Sequence, residues 1–331
     1  VHRPADSAGS TIDVAAAVIS RCDGSFLLAQ RPAGKPYAGY WEFPGGKAVS
    51  GEALLQTLGR EMMEELGIRV RHACPWITRI FAYPHATVRL HFYRVTQWHG
   101  EPYPREGQIL AWQYADKVSV APLLPANLPV LQALCLPPVY AITNAMETGP
   151  RLALVQIEQA LRSGLRLLQV REKGMKRELL RSFAASTLAL ARRHDARVLI
   201  NDDDALCREI GADGVHLPAA RLMQMDRPLD GDFCGASCHN AEELAQAERM
   251  GVRFAVLSPV LPTPSHPDLR PLGWRRFSRL LREYPLPVYA LGGLRHGDLA
   301  TAMTHGAHGI AMMRAVADTD ASAPEPQATI R

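Results

Sequence analysis

Four tokens in the second half of the chain, GLRLLQV, GADGVHL, GVRFAVL and GAHGIAM, each set a glycine just before an apolar run of strand length. The same rhythm runs from Val139 onward. VYAIT, LRLLQV, ARVLIND, GVHL, FCGAS, FAVLS, PVYALGG and HGIAMM are eight strand candidates. Amphipathic spacing predicts helices between them over 152–163, 177–194, 241–250, 274–284 and 297–304. Eight short apolar strands with helical connections specify a (β/α)8 barrel with parallel strands.

The first half lacks this alternation. DVAAAVISRCDGSFLLAQRP reads as two strands around a Cys-Asp-Gly turn, and YWEFPGGK as a short strand ended by Pro44, Gly45 and Gly46. A helix is expected over 53–66, stopped by Gly67, then a long strand in HATVRLHFYRVTQW and a helix in PANLPVLQALC. This describes a mixed sheet with few helices. At 331 residues the chain exceeds one ordinary core. The expected division is a first domain over 1–136, a barrel over 137–317 entered through Pro137 and Pro138, and a polar disordered tail over 318–331.

Charge excludes one class of partner. There are 13 basic and 11 acidic residues through residue 137, and 24 and 22 after it, so neither half is a polycation and no nucleic-acid polymer is expected. Six scattered cysteines without a C-x-x-C pair read as reduced, buried thiols. The opening VHRPADSAGS has no apolar core of a signal peptide, and the most apolar stretch is broken by prolines, so a soluble cytoplasmic protein is expected. Sequence leaves the oligomeric state open.

The chemistry of the first half lies in GGKAVSGEALLQTLGREMMEELGI, residues 45–68. Glu61, Glu64 and Glu65 fall at i, i+3 and i+4, which stacks three like charges on one helical face. A divalent cation such as magnesium, with manganese as a substitute, would compensate them. Gly45 and Gly46 would let backbone approach metal and phosphate. Arg60 would neutralise and orient the carboxylates.

From Gly46 the stretch fits G-x5-E-x7-R-E-U-x-E-E-x-G-U, U being bulky and apolar, at Gly46, Glu52, Arg60, Glu61, Met62, Glu64, Glu65, Gly67 and Ile68. This is the signature of the Nudix hydrolases. With QRP, WEFPGGK, WHGEPYPREGQ and PANLPVLQAL it resembles the MutT-type branch, the 8-oxo-dGTP diphosphatases, over residues 12–136. The resemblance implies an α/β/α sandwich and a metal site of Gly45, Glu61, Glu64, Glu65 and Glu106. It also implies nucleotide contacts from Arg31, Glu42, Phe43, Pro44, Gly45, Tyr83 and Asn127. Which glutamate takes the proton is left open, and without the resemblance Asn127 reads equally well as a helix cap. The chain departs from the branch at Val49, at His85 and Ala86, and near Pro36, where a nucleotide-holding histidine is missing.

LLQVREKG, LIND, GADGVHL, GASCHNAEEL, SPVLPTPSHP and ALGGL fall in the order and spacing of the thiamine phosphate synthase and thiazole tautomerase family, a TIM barrel, over about 138–316. The resemblance places a ligand site at Gln169, Arg171, Lys173, Asn201, Asp202, Ser237, His239, Thr263, Ser265 and Gly293, with Gly292 beside the last. Arg221 stands where the family has a second magnesium-binding aspartate, and His266 where it has a phosphate-binding lysine. A carboxylate exchanged for a guanidinium argues against that magnesium site and against full synthase activity.

The function expected is magnesium-dependent cleavage of an oxidised nucleoside triphosphate, 8-oxo-dGTP to 8-oxo-dGMP and pyrophosphate. The alternatives are a hydrolase of a thiamine-pathway pyrophosphate, with the barrel as a thiazole-phosphate enzyme, or a barrel that only binds its ligand.

Overall fold

The computed structural model describes residues 11–84, 86–229, 233–263 and 270–313. Two compact units divide the chain, the first made of the residues up to Cys135 with Glu283–Pro285 and the second of the rest from Leu136.

The first unit runs β1 (Ile12–Ile19), β2 (Phe26–Gln30), β3 (Trp41–Glu42), β4 (Gly45–Lys47), α1 (Leu54–Leu66), β5 (Arg69–Tyr83), β6 (Ala86–His99), β7 (Ile109–Gln113) and α2 (Leu128–Leu134). Four strands form one sheet in the order β4-β1-β6-β5, and three form another in the order β3-β2-β7. β1 pairs parallel with β6 and antiparallel with β4, which makes the first sheet mixed. Alternation along β1 builds two cores. Ala15, Ala17 and Ile19 pack with Leu58, Met62 and Leu66 of α1, whereas Ala16 and Val18 pack with Val130 and Leu131 of α2. The sheet is thereby covered by a helix on each face, the expected sandwich.

α1 buries Leu58, Met62 and Leu66 at i, i+4 and i+8, so the stripe facing the core fixes which residues point elsewhere. Gly67 ends it in the left-handed region at φ 69°.

Several expectations need correction. YWEFPGGK is two strands in different sheets, and Gly45 and Gly46 do not end a strand but form β4 itself. β5 and β7 are strands without a counterpart in the sequence reading. Four cysteines are buried as expected, but Cys22 and Cys135 are exposed.

The second unit is a closed barrel of eight parallel strands, β8 (Val139–Ile142), β9 (Leu167–Val170), β10 (Arg197–Asn201), β11 (Gly214–Leu217), β12 (Cys234–Cys238), β13 (Phe254–Leu257), β14 (Val288–Leu291) and β15 (Gly309–Met312). Every expected strand is present. The helices are α3 (Ala145–Thr148), α4 (Pro150–Arg162), α5 (Arg177–Arg192), α6 (Asp204–Ile210), α7 (Ala219–Gln224), α8 (Ala241–Arg249), α9 (Gly273–Leu281) and α10 (Leu299–Thr304). α3, α6 and α7 were not foreseen.

Tyr140, Leu167, Leu199, Phe254 and Tyr289 fill the barrel interior. Phe254 meets Tyr140 and Tyr289 edge-on, at centroid distances of 5.1 and 5.2 Å. A Cβ on Gly235 would come within 2.5 Å of the Phe254 ring, so only glycine leaves room for it. Among the described residues no helix is long and apolar enough to cross a membrane. The tail, Ser265, His266 and His85 lie outside the described residues.

Candidate active site

In the first unit, loop 31–40, β4, α1 and the loop before β7 border a cleft of about 510 Å3. Phe43, Tyr83, Val88, Leu90 and Leu124 give it apolar walls, and Glu42, Glu61, Glu65 and Glu106 also line it. A narrower recess shares Arg31, Lys35, Glu42, Glu65 and Glu106, and adds Pro44 and Gln108. Its size suits one small molecule with an apolar part and a charged part.

Glu65 is the most perturbed carboxyl of the group. Burial pushes it up to about 8, with Glu42, Glu61 and Glu106 adding like-charge repulsion, against one hydrogen bond from the Gly45 N–H at 3.2 Å. The two glycines act through close approach. A Cβ on Gly45 would fall 2.1 Å from the Ala15 carbonyl oxygen of β1, and one on Gly46 would fall 2.0 Å from the Glu61 carboxyl carbon. Their absent side chains therefore admit β1 and the Glu61 carboxylate.

Arg60 supplies the compensation on the helix. It takes both oxygens of Glu52 at 3.0 Å, Glu61 at 2.7 Å, Glu64 at 3.0 Å and the Lys47 carbonyl at 3.2 Å. Glu52 is held down at about 2, first by its hydrogen bonds from Arg60. Glu64 is half exposed on this partner and does not line the cleft. Gln108 ties the remaining carboxylate in place. Its Oε1 accepts from the Glu106 N–H at 2.8 Å while its Nε2 donates to the Glu65 carbonyl at 3.0 Å.

Arg31 donates to both oxygens of Glu42, at 2.6 and 2.7 Å, and to the Pro36 carbonyl at 2.7 Å. Burial raises Glu42 above the usual carboxylate range, with Arg31 opposing. Phe43 is 3% exposed and packs on Phe26 and Phe92. The Tyr83 ring lies tilted at 58° to Tyr37 with centroids 5.3 Å apart, and burial, together with Glu42, pushes its hydroxyl up to about 12.

Asn127 lies at the start of α2 but makes no side-chain capping bond. It lines the cleft, 4% exposed, and its buried Nδ2 has no hydrogen-bond partner among the described residues. An unpaired buried amide costs roughly 1–3 kcal/mol and calls for a ligand or water.

At the C-terminal ends of the barrel strands, Gln169 donates to the Asn201 Oδ1 at 3.2 Å, and the Arg171 N–H donates to Thr143 Oγ1 at 3.0 Å. Burial lowers the Arg171 guanidinium below its ordinary value. Arg221 pairs with Asp202 at 3.3 Å and with Asp204 at 2.5 Å. The buried His216 ring bridges the Tyr140 hydroxyl at 3.1 Å and Ser237 Oγ at 2.9 Å; burial, then Arg171, pushes it down to about 3, so it stays neutral. His239 is exposed and pairs with Glu243 at 2.8 Å.

A NUDIX domain model matches residues 15–133, and a thiamine monophosphate synthase model matches residues 139–316. The second unit is 35% identical over 178 residues to the putative thiamine-phosphate synthase 2 of Aquifex aeolicus, 53% of this chain and 95% of that one. The first is 40% identical over 122 residues to the CTP pyrophosphohydrolase of Escherichia coli, 37% of this chain and 90% of that one. The chain belongs to both families, a Nudix domain fused to a synthase-type barrel. Among solved structures it is similar to MutT of Aliivibrio salmonicida and Vibrio cholerae, with 32% identity, 38% and 97% coverage and a TM-score of 0.33. It is also similar to the thiamine phosphate pyrophosphorylase of Pyrococcus furiosus, with 24% identity, 53% and 85% coverage and a TM-score of 0.45.

In the Nudix domain, Glu61, Glu65, Glu106, Gly45, Arg31, Glu42, Phe43, Tyr83 and Asn127 all line the cleft, and Pro44 lines the recess. Glu64 and Arg60 stand beside it. Among the described residues no three His, Cys, Asp or Glu side chains are gathered tightly enough to hold an ion in this arrangement, since Arg60 takes Glu61 and Glu64. The donor set nonetheless fits a hard divalent cation, being all carboxylate oxygen with Glu65 repelled from three sides. In the synthase-type barrel, Gln169 and Asn201 come together, Arg171 acts electrostatically on His216, Lys173 is exposed, and Thr263 is the last residue described before Pro264. The family's magnesium does not fit here, because Arg221 occupies Asp202. Lys35, Gln108, Tyr140 and His216 are site residues that the sequence reading missed.

Proposed function

We propose that the Nudix domain hydrolyses a nucleoside triphosphate to the monophosphate and pyrophosphate, with 8-oxo-dGTP as its preferred substrate. The unpaired Asn127 amide in an apolar-walled cleft that also holds the carboxylates carries this reading. An amide both donates and accepts, which matches the carbonyl and the neighbouring N–H that oxidation creates on the guanine edge. Unoxidised guanine offers only an acceptor at that N–H position, so the amide oxygen would face a lone pair. Phe43 and Tyr83 would flank the base.

Glu61, Glu65 and Glu106 would hold magnesium, which on binding neutralises phosphate charge and acidifies a water. An attacking water in the cleft would bond through its oxygen to phosphorus as the anhydride P–O bond breaks, with the leaving phosphate keeping the electron pair. Glu65, which lines the cleft and is held by the Gly45 N–H, is the carboxylate assigned to hold the proton lost from the water. Arg60 keeps Glu61 in place through its fork on Glu52.

A pyrimidine nucleotide is the second reading, favoured by the likeness to the CTP pyrophosphohydrolase. A panel of 8-oxo-dGTP, dGTP, CTP and a pyrimidine pyrophosphate on the intact chain, with products identified by mass, separates these. Asn127→Ala is expected to lower kcat/KM for 8-oxo-dGTP by about tenfold or more while sparing CTP. Equal losses on all substrates would remove base recognition from Asn127. The barrel is proposed as a metal-free thiazole-phosphate site, with Gln169, Arg171, Asn201, Ser237 and Gly293 as its ligand residues.

A further inference from the structure

We propose that Lys35 is a phosphate-binding residue of the Nudix cleft, held on Glu106 until a divalent cation takes that carboxylate. The inference rests on the hydrolase reading above and adds an exchange of partners to it. Lys35 Nζ lies 2.9 Å from Glu106 Oε2, and the lysine lines both the cleft and the recess beside it. Its ammonium therefore sits where Glu42, Glu65 and Glu106 converge.

The neighbouring cation is committed. Arg31 commits its Nε to the Pro36 carbonyl and its Nη1 to both Glu42 oxygens, which fixes loop 31–40. Among the described residues Lys35 has one ion pair, and both partners are nearly half exposed, 48% and 42%. An exposed pair of that kind shifts an equilibrium only a few-fold, so it yields readily to a competitor. Glu106 cannot follow the lysine away, because Gln108 clamps its backbone to the Glu65 carbonyl.

A divalent cation on Glu106 would then expel the ammonium, leaving a mobile point charge at the rim of a site that must receive a polyanion. Lysine suits this role, having three donors on a flexible stem, whereas the Arg31 fork is locked. The two steps have opposite consequences for a lysine deletion. Removing the ammonium removes the metal's competitor and also removes a phosphate contact.

The test uses the full chain, with Mn2+ binding followed by electron paramagnetic resonance and inorganic pyrophosphate binding followed by calorimetry in saturating Mn2+. Lys35→Ala is expected to tighten Mn2+ by about twofold to fivefold and to weaken pyrophosphate by about tenfold. Lys35→Arg is expected to keep both constants near those of the parent. Unchanged constants in Lys35→Ala, or a loss in both, would overturn the exchange while leaving the hydrolase reading in place. A parent chain that binds no Mn2+ would overturn that reading and this one together.

Discussion

Glu65→Gln is expected to lower turnover by about 10²- to 10⁴-fold, the range for a positioned proton acceptor, without unfolding the chain. Glutamine keeps the shape of the side chain and still accepts from the Gly45 N–H. What it removes is the ability to ionise among Glu42, Glu61 and Glu106. The same variant has a stability signature in chelator. In the fold Glu65 is held up to about 8, against 4.5 for the free side chain, so between these values the folded state binds a proton that the unfolded chain has released. Stability of the metal-free protein then falls as pH rises from about 4.5 to about 8, by roughly 1.4 kcal/mol per unit of separation at most. Glu65→Gln should flatten that slope, matching the parent near pH 4 and exceeding it near pH 8. Denaturant melts at the two pH values check this, and parallel slopes in both proteins would speak against a buried, charge-crowded Glu65.

Gly46→Ala is expected to be nearly as damaging to turnover, about 10²-fold, with a smaller effect on stability. The added Cβ would lie 2.0 Å from the Glu61 carboxyl carbon and 2.2 Å from each of its oxygens, so the carboxylate must leave. Glu61 is a side chain and has room to swing away, which spares the fold. A displacement of about 1 Å at a reacting site is enough to cost 10²-fold. Kinetics and a melt on the same preparation separate the two effects. Unimpaired turnover would mean that Glu61 has no fixed place in the chemistry.

The barrel was legible because its strands are short, apolar and uninterrupted, and its longer helices have enough turns to show a period. α6 and α7 have only seven and six residues, the latter as α10 has, and a stripe that short is not a dependable sign of a helix. β5 was hidden for another reason. Its pairing with β6 shifts register between Val70 and His72, between His72 and Ala73, and between Pro75 and Thr78, which breaks the alternation that marks a strand. β7 has only five residues, next to the loop whose motif drew the reading instead.

At the candidate site, fixed spacing on one helix made Glu61, Glu64 and Glu65 visible together, but spacing did not tell which of them enters the cleft. Arg60 pairs with both Glu61 and Glu64, and of the three only Glu61 and Glu65 line the cleft. Lys35 and Glu106 are 71 residues apart and Tyr140 and His216 are 76 apart, so their meeting is a property of the fold and left no local pattern. Gly45 and Gly46 were found by motif, yet their use appeared only when β1 and the Glu61 carboxylate were seen against them.

Occupancy and turnover measured together test the central claim most directly. The intact chain, freed of metal with chelator, is titrated with Mn2+ while pyrophosphate release from the nucleotide is followed, alongside a Glu61→Gln, Glu65→Gln double variant. Release should climb in step with bound Mn2+ in the parent, and both should vanish in the variant. Full release in excess chelator, or a variant that binds Mn2+ and turns over like the parent, would contradict the assignment of metal and chemistry to these carboxylates.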